Sequence, residues 1–170
     1  MIHRWMAVGV VLGTVLIAFS ANAQSASPAF NNTLLPQPAH LSVNSGSLPL
    51  TPQFTATADK FHDGRLDGAI GHMLVRLKMQ TGAQIATTSG SAPATLMVSV
   101  DGPGEAIQGP DENEAYSLEI TSNGARLKAA TVVGAIHGLE TFLQLVQNDG
   151  SNYFLPAVSI DDAPRFRWRG

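Results

Sequence analysis

Apolar and polar residues alternate along Tyr116 to Thr121: Tyr116, Leu118 and Ile120 are separated by Ser117, Glu119 and Thr121. That period of two predicts a half-buried strand. Asn123-Gly124 predicts a tight hairpin turn, because both residues tolerate positive φ. Ala125, Leu127 and Ala129 alternate again in a second strand. The period then lengthens. Val132, Ile136, Leu139, Leu143 and Val146 recur at helical spacing and form one apolar stripe. Thr131 stands where a hydroxyl can cap that helix. Gly134 and Gly138 weaken helix propensity, so their retention predicts close approach of the helix to the sheet.

Upstream, Leu66, Ile70, Met73 and Leu77 give a second helical stripe within Asp59 to Thr81. Asp63 is the expected N-cap, and Gly82 the left-handed stop. Leu41 and Val43 predict a first strand, with Asn44-Ser45-Gly46 turning the chain after it. Phe54 to Ala58, Ile85 to Thr87, Leu96 to Val100 and Phe154 to Ile160 predict further short strands, the last with Pro156 at its start. Ser89 to Pro93, Asp101 to Pro110 and Asn148 to Asn152 read as turns and loops. Two helices and several short strands predict an α+β fold: a small, mainly antiparallel or mixed sheet with both helices packed on one face.

The N-terminus carries a different pattern. His3 and Arg4 precede a nearly unbroken apolar run from Met6 to Phe19, and Ala21-Asn22-Ala23 fits a small-x-small cleavage site. Residues 1–23 are therefore expected to be a secretory signal peptide. The run is short for a membrane span, so no membrane association is expected after cleavage. Residues 24–33 are polar and small and read as a flexible leader, and the Asn31-Asn32-Thr33 sequon as a chance match. An exported protein, periplasmic or extracellular, follows from this reading.

Composition changes the picture by exclusion. The chain has 170 residues, 44% hydrophobic and 14% charged, which suits one globular domain. A net charge of −3 gives no basis for a nucleic-acid partner. With no cysteine there are no disulfides, thiol nucleophiles or thiolate metal sites. His40, His62, His72 and His137 are scattered without metal-ligand spacing, and His72 and His137 beside the helix stripes read as packing or surface residues. Gly102-Pro103-Gly104 lacks the lysine of a phosphate loop. Asp111-Glu112, in a Gly/Pro loop, read as solvated acids. Asp161-Asp162 are neighbours on an extended chain and point to opposite sides, so they read as turn and linker residues. No catalytic, cofactor-binding or metal site is expected, and no cofactor.

Three stretches carry a family resemblance. The helix phrase Gly134, Gly138, Leu139, Thr141, Gln144 and Leu145 resembles the G-x-x-x-G-L-x-T-L-x-Q-L helix of the N-terminal, non-catalytic domain of family 20 glycoside hydrolases, the β-N-acetylhexosaminidases; Phe142 replaces the usual Leu. Leu77, Thr81 and Gly82 resemble the end of that domain's first helix. Ile160, Asp162, Pro164, Arg165, Phe166, Trp168, Arg169 and Gly170 resemble the junction where the catalytic barrel begins. The resemblance divides the chain into a domain at 34–162 and the start of a missing (β/α)₈ barrel at 163–170.

That resemblance implies a substrate-assisted glycosidase whose acetamido-orienting Asp and acid Glu follow a barrel strand in an H-x-G-G-D-E phrase. Gly109-Pro110-Asp111-Glu112 lacks the His and has Pro in place of Gly. A barrel needs roughly 250 residues on its own, so this chain is expected to be inactive alone. The implied role is structural support of the barrel in an enzyme removing terminal N-acetylhexosamine from glycans. The expected partners are the missing barrel and, as a further candidate, amino-sugar glycans. The alternatives are a free-standing secreted carbohydrate-binding module, disfavoured by 6% aromatic content, or the equivalent domain of another glycosidase family.

Overall fold

The computed structural model describes residues 30–87, 90 and 94–163. The expected signal peptide, most of the leader, the turn at Ser89 to Pro93 except Gly90, and the barrel start beyond Ala163 lie outside the described residues. Seven strands and two helices follow in order: β1 (His40–Pro49), β2 (Ala56–Ala58), α1 (Gly64–Thr81), β3 (Leu96–Val100), β4 (Tyr116–Thr121), β5 (Gly124–Ala129), α2 (Val132–Gln144), β6 (Gln147–Asn148) and β7 (Tyr153–Asp162). The sheet runs β1-β7-β4-β5-β3-β2, with β6 pairing β7. β2, β3 and β5 are mutually parallel where they pair, and the remaining pairs are antiparallel. This is the mixed α+β fold that the patterning predicts.

One face of the sheet is apolar, and both helices cover it. Leu96, Val98, Leu118, Ile120, Leu127, Val158 and Ile160 are buried from the strands. From above they meet Leu66, Ile70, Met73, Leu74 and Leu77 of α1 and Val132, Ala135, Leu139, Phe142 and Leu143 of α2. Each fully buried side chain of this size contributes roughly 1.5–3 kcal/mol. Phe54 and Phe142 pack with ring centroids 5.9 Å apart. The helices also meet at their surface, where Arg76 Nη1 donates to Glu140 Oε2 at 2.6 Å.

The capping and glycine readings hold. Asp63 accepts from the backbone N–H groups of Arg65 and Leu66, and Gly82 ends α1 at φ 67°. Thr131 Oγ1 accepts from Gly134 N at 3.2 Å. A Cβ on Gly134 would stand 2.5 Å from the carbonyl oxygen of Ala115, and one on Gly138 would overlap Leu127 Cδ1. The close approach expected from sequence is therefore present at both positions.

Several local expectations are corrected. Asn44-Ser45-Gly46 does not reverse the chain. It lies within β1 as a bulge, with Val43 opposite Val158 and Ser47 opposite Pro156. Gly46 takes φ 102° there. The hairpin turn is Ser122-Asn123, because Thr121 already pairs Gly124. Ile85 to Thr87 is not a strand; Ile85 is a single buried side chain whose N–H donates to Ala83 O. β6 is too short to show a period. Pro156 sits inside β7, not at its start. β6 pairs Phe154 and β4 pairs from Val158 onward, so Pro156 needs no N–H on that side.

Candidate functional site

A hydrogen-bonded cluster of side chains stands at one end of the sheet, where β1 begins and β7 ends. The phenolic oxygen of Tyr116 lies 2.6 Å from Thr141 Oγ1 and donates to Asp162 Oδ2 at 3.4 Å. The other carboxylate oxygen, Asp162 Oδ1, accepts from Ala39 N at 3.0 Å. This hub joins β4, α2, the end of β7 and the approach to β1. Next to it, Gln144 Oε1 accepts from Leu35 N at 2.9 Å, and the Gln144 carbonyl accepts from Thr33 Oγ1 at 3.4 Å. Thr141, Gln144 and Asp162 are thus ties between distant segments. Their sequence signal was their place in the helix and junction phrases; Tyr116 gave none beyond its strand period.

Asp161 and Asp162 belong to β7, which corrects their reading as turn and linker residues. They do diverge as neighbours on a strand must. Asp162 enters the hub, while Asp161 is exposed on the opposite, helix-free face. That face holds a depression of about 820 Å³ over the same end of the sheet, floored by Ser99, Ser117, Arg126, Lys128 and Asp161.

The Asp111-Glu112 pair is also corrected in part. Asp111 is exposed, but Glu112 is only 8% exposed. Its Oε1 accepts from Glu105 N at 3.1 Å. It fits because Gly104 has no side chain: a Cβ there would collide with Glu112 Oε1 and stand 3.0 Å from Thr131 Cβ. Glu112 is therefore a clasp of the loop between β3 and β4. The two acids face different surroundings and form no joint site.

The histidines stay apart. His137 Nε2 meets Glu114 Oε2 at 3.1 Å, and His62 Nδ1 meets Asp67 Oδ1 at 3.5 Å. His72 is exposed on α1, and His40 borders the helix-free depression. Among the described residues no group of three or more His, Asp or Glu side chains could hold a metal ion. Two carboxyls are held below their ordinary range. The Arg65 backbone N–H does this for Asp63, and the Asn152 and Ser151 backbone N–H groups for Asp149. Both lie in helix-cap or turn positions, away from the hub.

Comparison with known proteins gives this architecture its relatives. The model of the family described as glycosyl hydrolase family 20, domain 2, matches residues 31–163. The chain is 28% identical over 163 residues to the N,N'-diacetylchitobiase of Vibrio harveyi, covering 94% of this chain and 17% of that one. It is 50% identical over 60 residues to beta-hexosaminidase subunit A1 of Dictyostelium discoideum, 34% of this chain and 11% of that one. Among solved structures, the chitobiase of Flavobacterium johnsoniae superposes with a TM-score of 0.75 at 35% identity, over 81% of this chain and 21% of that one. The chain thus spans about a fifth or less of each of these relatives. With a family match over nearly all its described residues, the chain belongs to glycosyl hydrolase family 20, as that family's domain 2.

Proposed function

We propose that this chain is the non-catalytic domain of an exported β-N-acetylhexosaminidase, and that it steadies a catalytic (β/α)₈ barrel joined after Ala163. The observation that carries the reading is the use of the family's phrase residues. Thr141 and Asp162 tie the end of β7 to β4 and α2 through Tyr116, and Gln144 ties the segment before β1 to the same helix. A domain that fixes its own exit strand can hold a following domain in one orientation. Asp162 is the last residue of β7, so the next segment starts from a clamped point. The acids that might have suggested chemistry are spent elsewhere: Glu112 in a loop clasp and Asp162 in the hub. Amino-sugar glycans are the substrate class of the whole enzyme in this reading, and residues 1–23 direct its export.

A domain exchange tests it. Residues 34–162 would replace the corresponding domain of the Flavobacterium johnsoniae chitobiase. The expected chimaera hydrolyses a chromogenic N-acetylglucosaminide and unfolds in one transition. Two separate transitions, with the barrel's melting point unchanged when the domain is deleted, would remove the supporting role. The chain by itself is expected to give no hydrolysis above a buffer blank.

A further inference from the structure

The strand register places a continuous polar row across the helix-free face. His40 of β1 faces Asp161 of β7, Asp161 faces Ser117 of β4, Ser117 faces Lys128 of β5, and Lys128 faces Ser99 of β3. Ser99 Oγ donates to Asp59 Oδ2 at 3.2 Å, which extends the row past the end of β2. Six strands at roughly 4.8 Å spacing make this row about 24 Å long. A second row, one pleat away, runs Ser42, Ser159, Glu119, Arg126. The depression of about 820 Å³ lies over the first row.

Two features separate this face from an ordinary solvated one. The first is that its charges are not paired off among the described residues. None of the ion pairs among the described residues joins Asp59, Asp101, Asp161, Lys60, Arg126 or Lys128, and even Glu119 and Arg126, directly opposite across β4 and β5, do not meet. The second is the order of chemistry along the row. Asp161 only accepts, Ser117 donates and accepts, Lys128 only donates, Ser99 donates and accepts, and Asp59 only accepts. A chain of sugar hydroxyls, each both donor and acceptor, can satisfy such a row along its length. The lining carries Asp59, Asp101, Asp161 and Asp162 against Lys60, Arg126 and Lys128. With no basic surplus, the lining disfavours a polyanion. The row holds no Phe, Tyr or Trp, and its one ring, the His40 imidazole, stands at its end, so hydrogen bonds and not stacking would carry the affinity.

We propose that the helix-free face of the sheet binds a neutral oligosaccharide lying across the strands along the His40–Asp161–Ser117–Lys128–Ser99–Asp59 row. That the oligosaccharide is an amino-sugar chain rests on the proposed function. The site itself rests on the register, the unpaired charges and the depression. It would hold substrate glycan beside a barrel without taking part in bond cleavage.

The test is an amide NMR titration of the full chain with tetra-N-acetylchitotetraose, repeated with cellotetraose. The expected result is a set of saturating shifts at Ser99, Ser117, Lys128 and Asp161. Lys128→Ala and Asp161→Ala should each weaken binding about tenfold, while Arg76→Ala on the helical side leaves it unchanged. All three are surface changes, and circular dichroism confirms that each variant is folded. Equal binding of cellotetraose supports the face as a neutral-glycan site and counts only against the amino-sugar part of the proposed function. No shift with either sugar at millimolar ligand, or shifts confined to the helix-covered side, overturns the proposal. Shifts seen only with an anionic oligosaccharide such as a hyaluronan tetramer also overturn it.

Discussion

Tyr116 and Thr141 share a hydrogen bond of 2.6 Å between strand β4 and helix α2, and through Tyr116 the contact reaches Asp162 at the end of β7. Tyr116 is 7% exposed, so its hydroxyl has little access to water as a substitute partner. The three residues come from three separate elements. Their meeting explains why a threonine stands on α2 one position before the core residue Phe142.

Tyr116→Phe removes the shared hydroxyl and leaves Thr141 Oγ1 without that partner. The expected loss is about 1 kcal/mol of unfolding free energy. Thr141→Val should cost a similar amount, and the double variant less than the sum, with a coupling of about 0.5–1.5 kcal/mol. Urea unfolding of the four proteins measures this. Strict additivity would mean the two hydroxyls do not depend on each other.

The helical glycines should respond in opposite directions. Gly→Ala in a helix gains up to about 1 kcal/mol of propensity. At Gly134 the new Cβ would lie 2.5 Å from a backbone oxygen, Ala115 O, and 3.2 Å from Ala129 Cβ. Overpacking of this kind costs about 1–3 kcal/mol, so Gly134→Ala is expected to be net destabilising. Gly68 on α1 has nothing within 4 Å of its Cβ direction. Gly68→Ala should therefore stabilise by roughly 0.5–1 kcal/mol. Thermal melts of the two variants should move to opposite sides of the parent.

The contrast between those glycines also marks what the sequence could and could not reveal. A pair spaced four apart on an apolar stripe pointed to close packing, because nothing else justifies its cost. The first helix was legible because period, cap and stop agreed at Asp63 and Gly82; the second had its period and the Thr131 cap but no stop, and Val146 of its expected stripe lies past its end at Gln144. Turn-forming residues misled at Asn44-Ser45-Gly46, since a bulge and a reversal use the same residue types. An isolated apolar residue misled at Ile85, where burial came from tertiary packing and not from a strand. The hub at Tyr116, Thr141 and Asp162 depends on contacts 25 and 46 residues apart, beyond any local period. The polar row on the helix-free face needed strand order and register, which no single strand encodes.

Acid should weaken the start of α1 in a defined window. Backbone N–H donation from Arg65 and Leu66 lowers the Asp63 carboxyl below its ordinary value of 3.8. A group whose folded pKa is depressed binds more protons when unfolded, so its stabilisation is complete above 3.8 and is lost as pH falls through the lower folded value. Asp149, lowered by the N–H groups of Asn152 and Ser151, acts with the same sign. Asp63→Ser keeps a capping oxygen but cannot titrate. Its unfolding midpoint should fall less steeply than the parent's between pH 4 and pH 2. Parallel slopes in the two proteins would show that this cap does not contribute to the acid dependence.

Glu112 supplies the sharpest departure from a surface reading of the loop acids. Its carboxylate is buried against Gly104 and Thr131, and Oε1 holds Glu105 N. Thr131 is in turn committed twice, donating to Asn113 O at 2.5 Å and accepting from Gly134 N. The loop between β3 and β4 is thus fastened to the N-terminus of α2, where a carboxylate also suits the helix dipole. Glu112→Ala strands a donor and opens a gap at Gly104, an expected loss of about 1–3 kcal/mol. Glu112→Gln keeps the shape and one acceptor but removes the charge, and should cost less. Limited proteolysis separates this from a general loss of stability. Cleavage in Glu112→Ala should begin within residues 101–115 while the sheet amides keep their hydrogen-exchange protection. Asp111→Ala, on the exposed neighbour, should leave both the melting point and the cleavage pattern unchanged. A Glu112→Ala protein with parental stability and an uncut loop would return Glu112 to the class of ordinary surface acids.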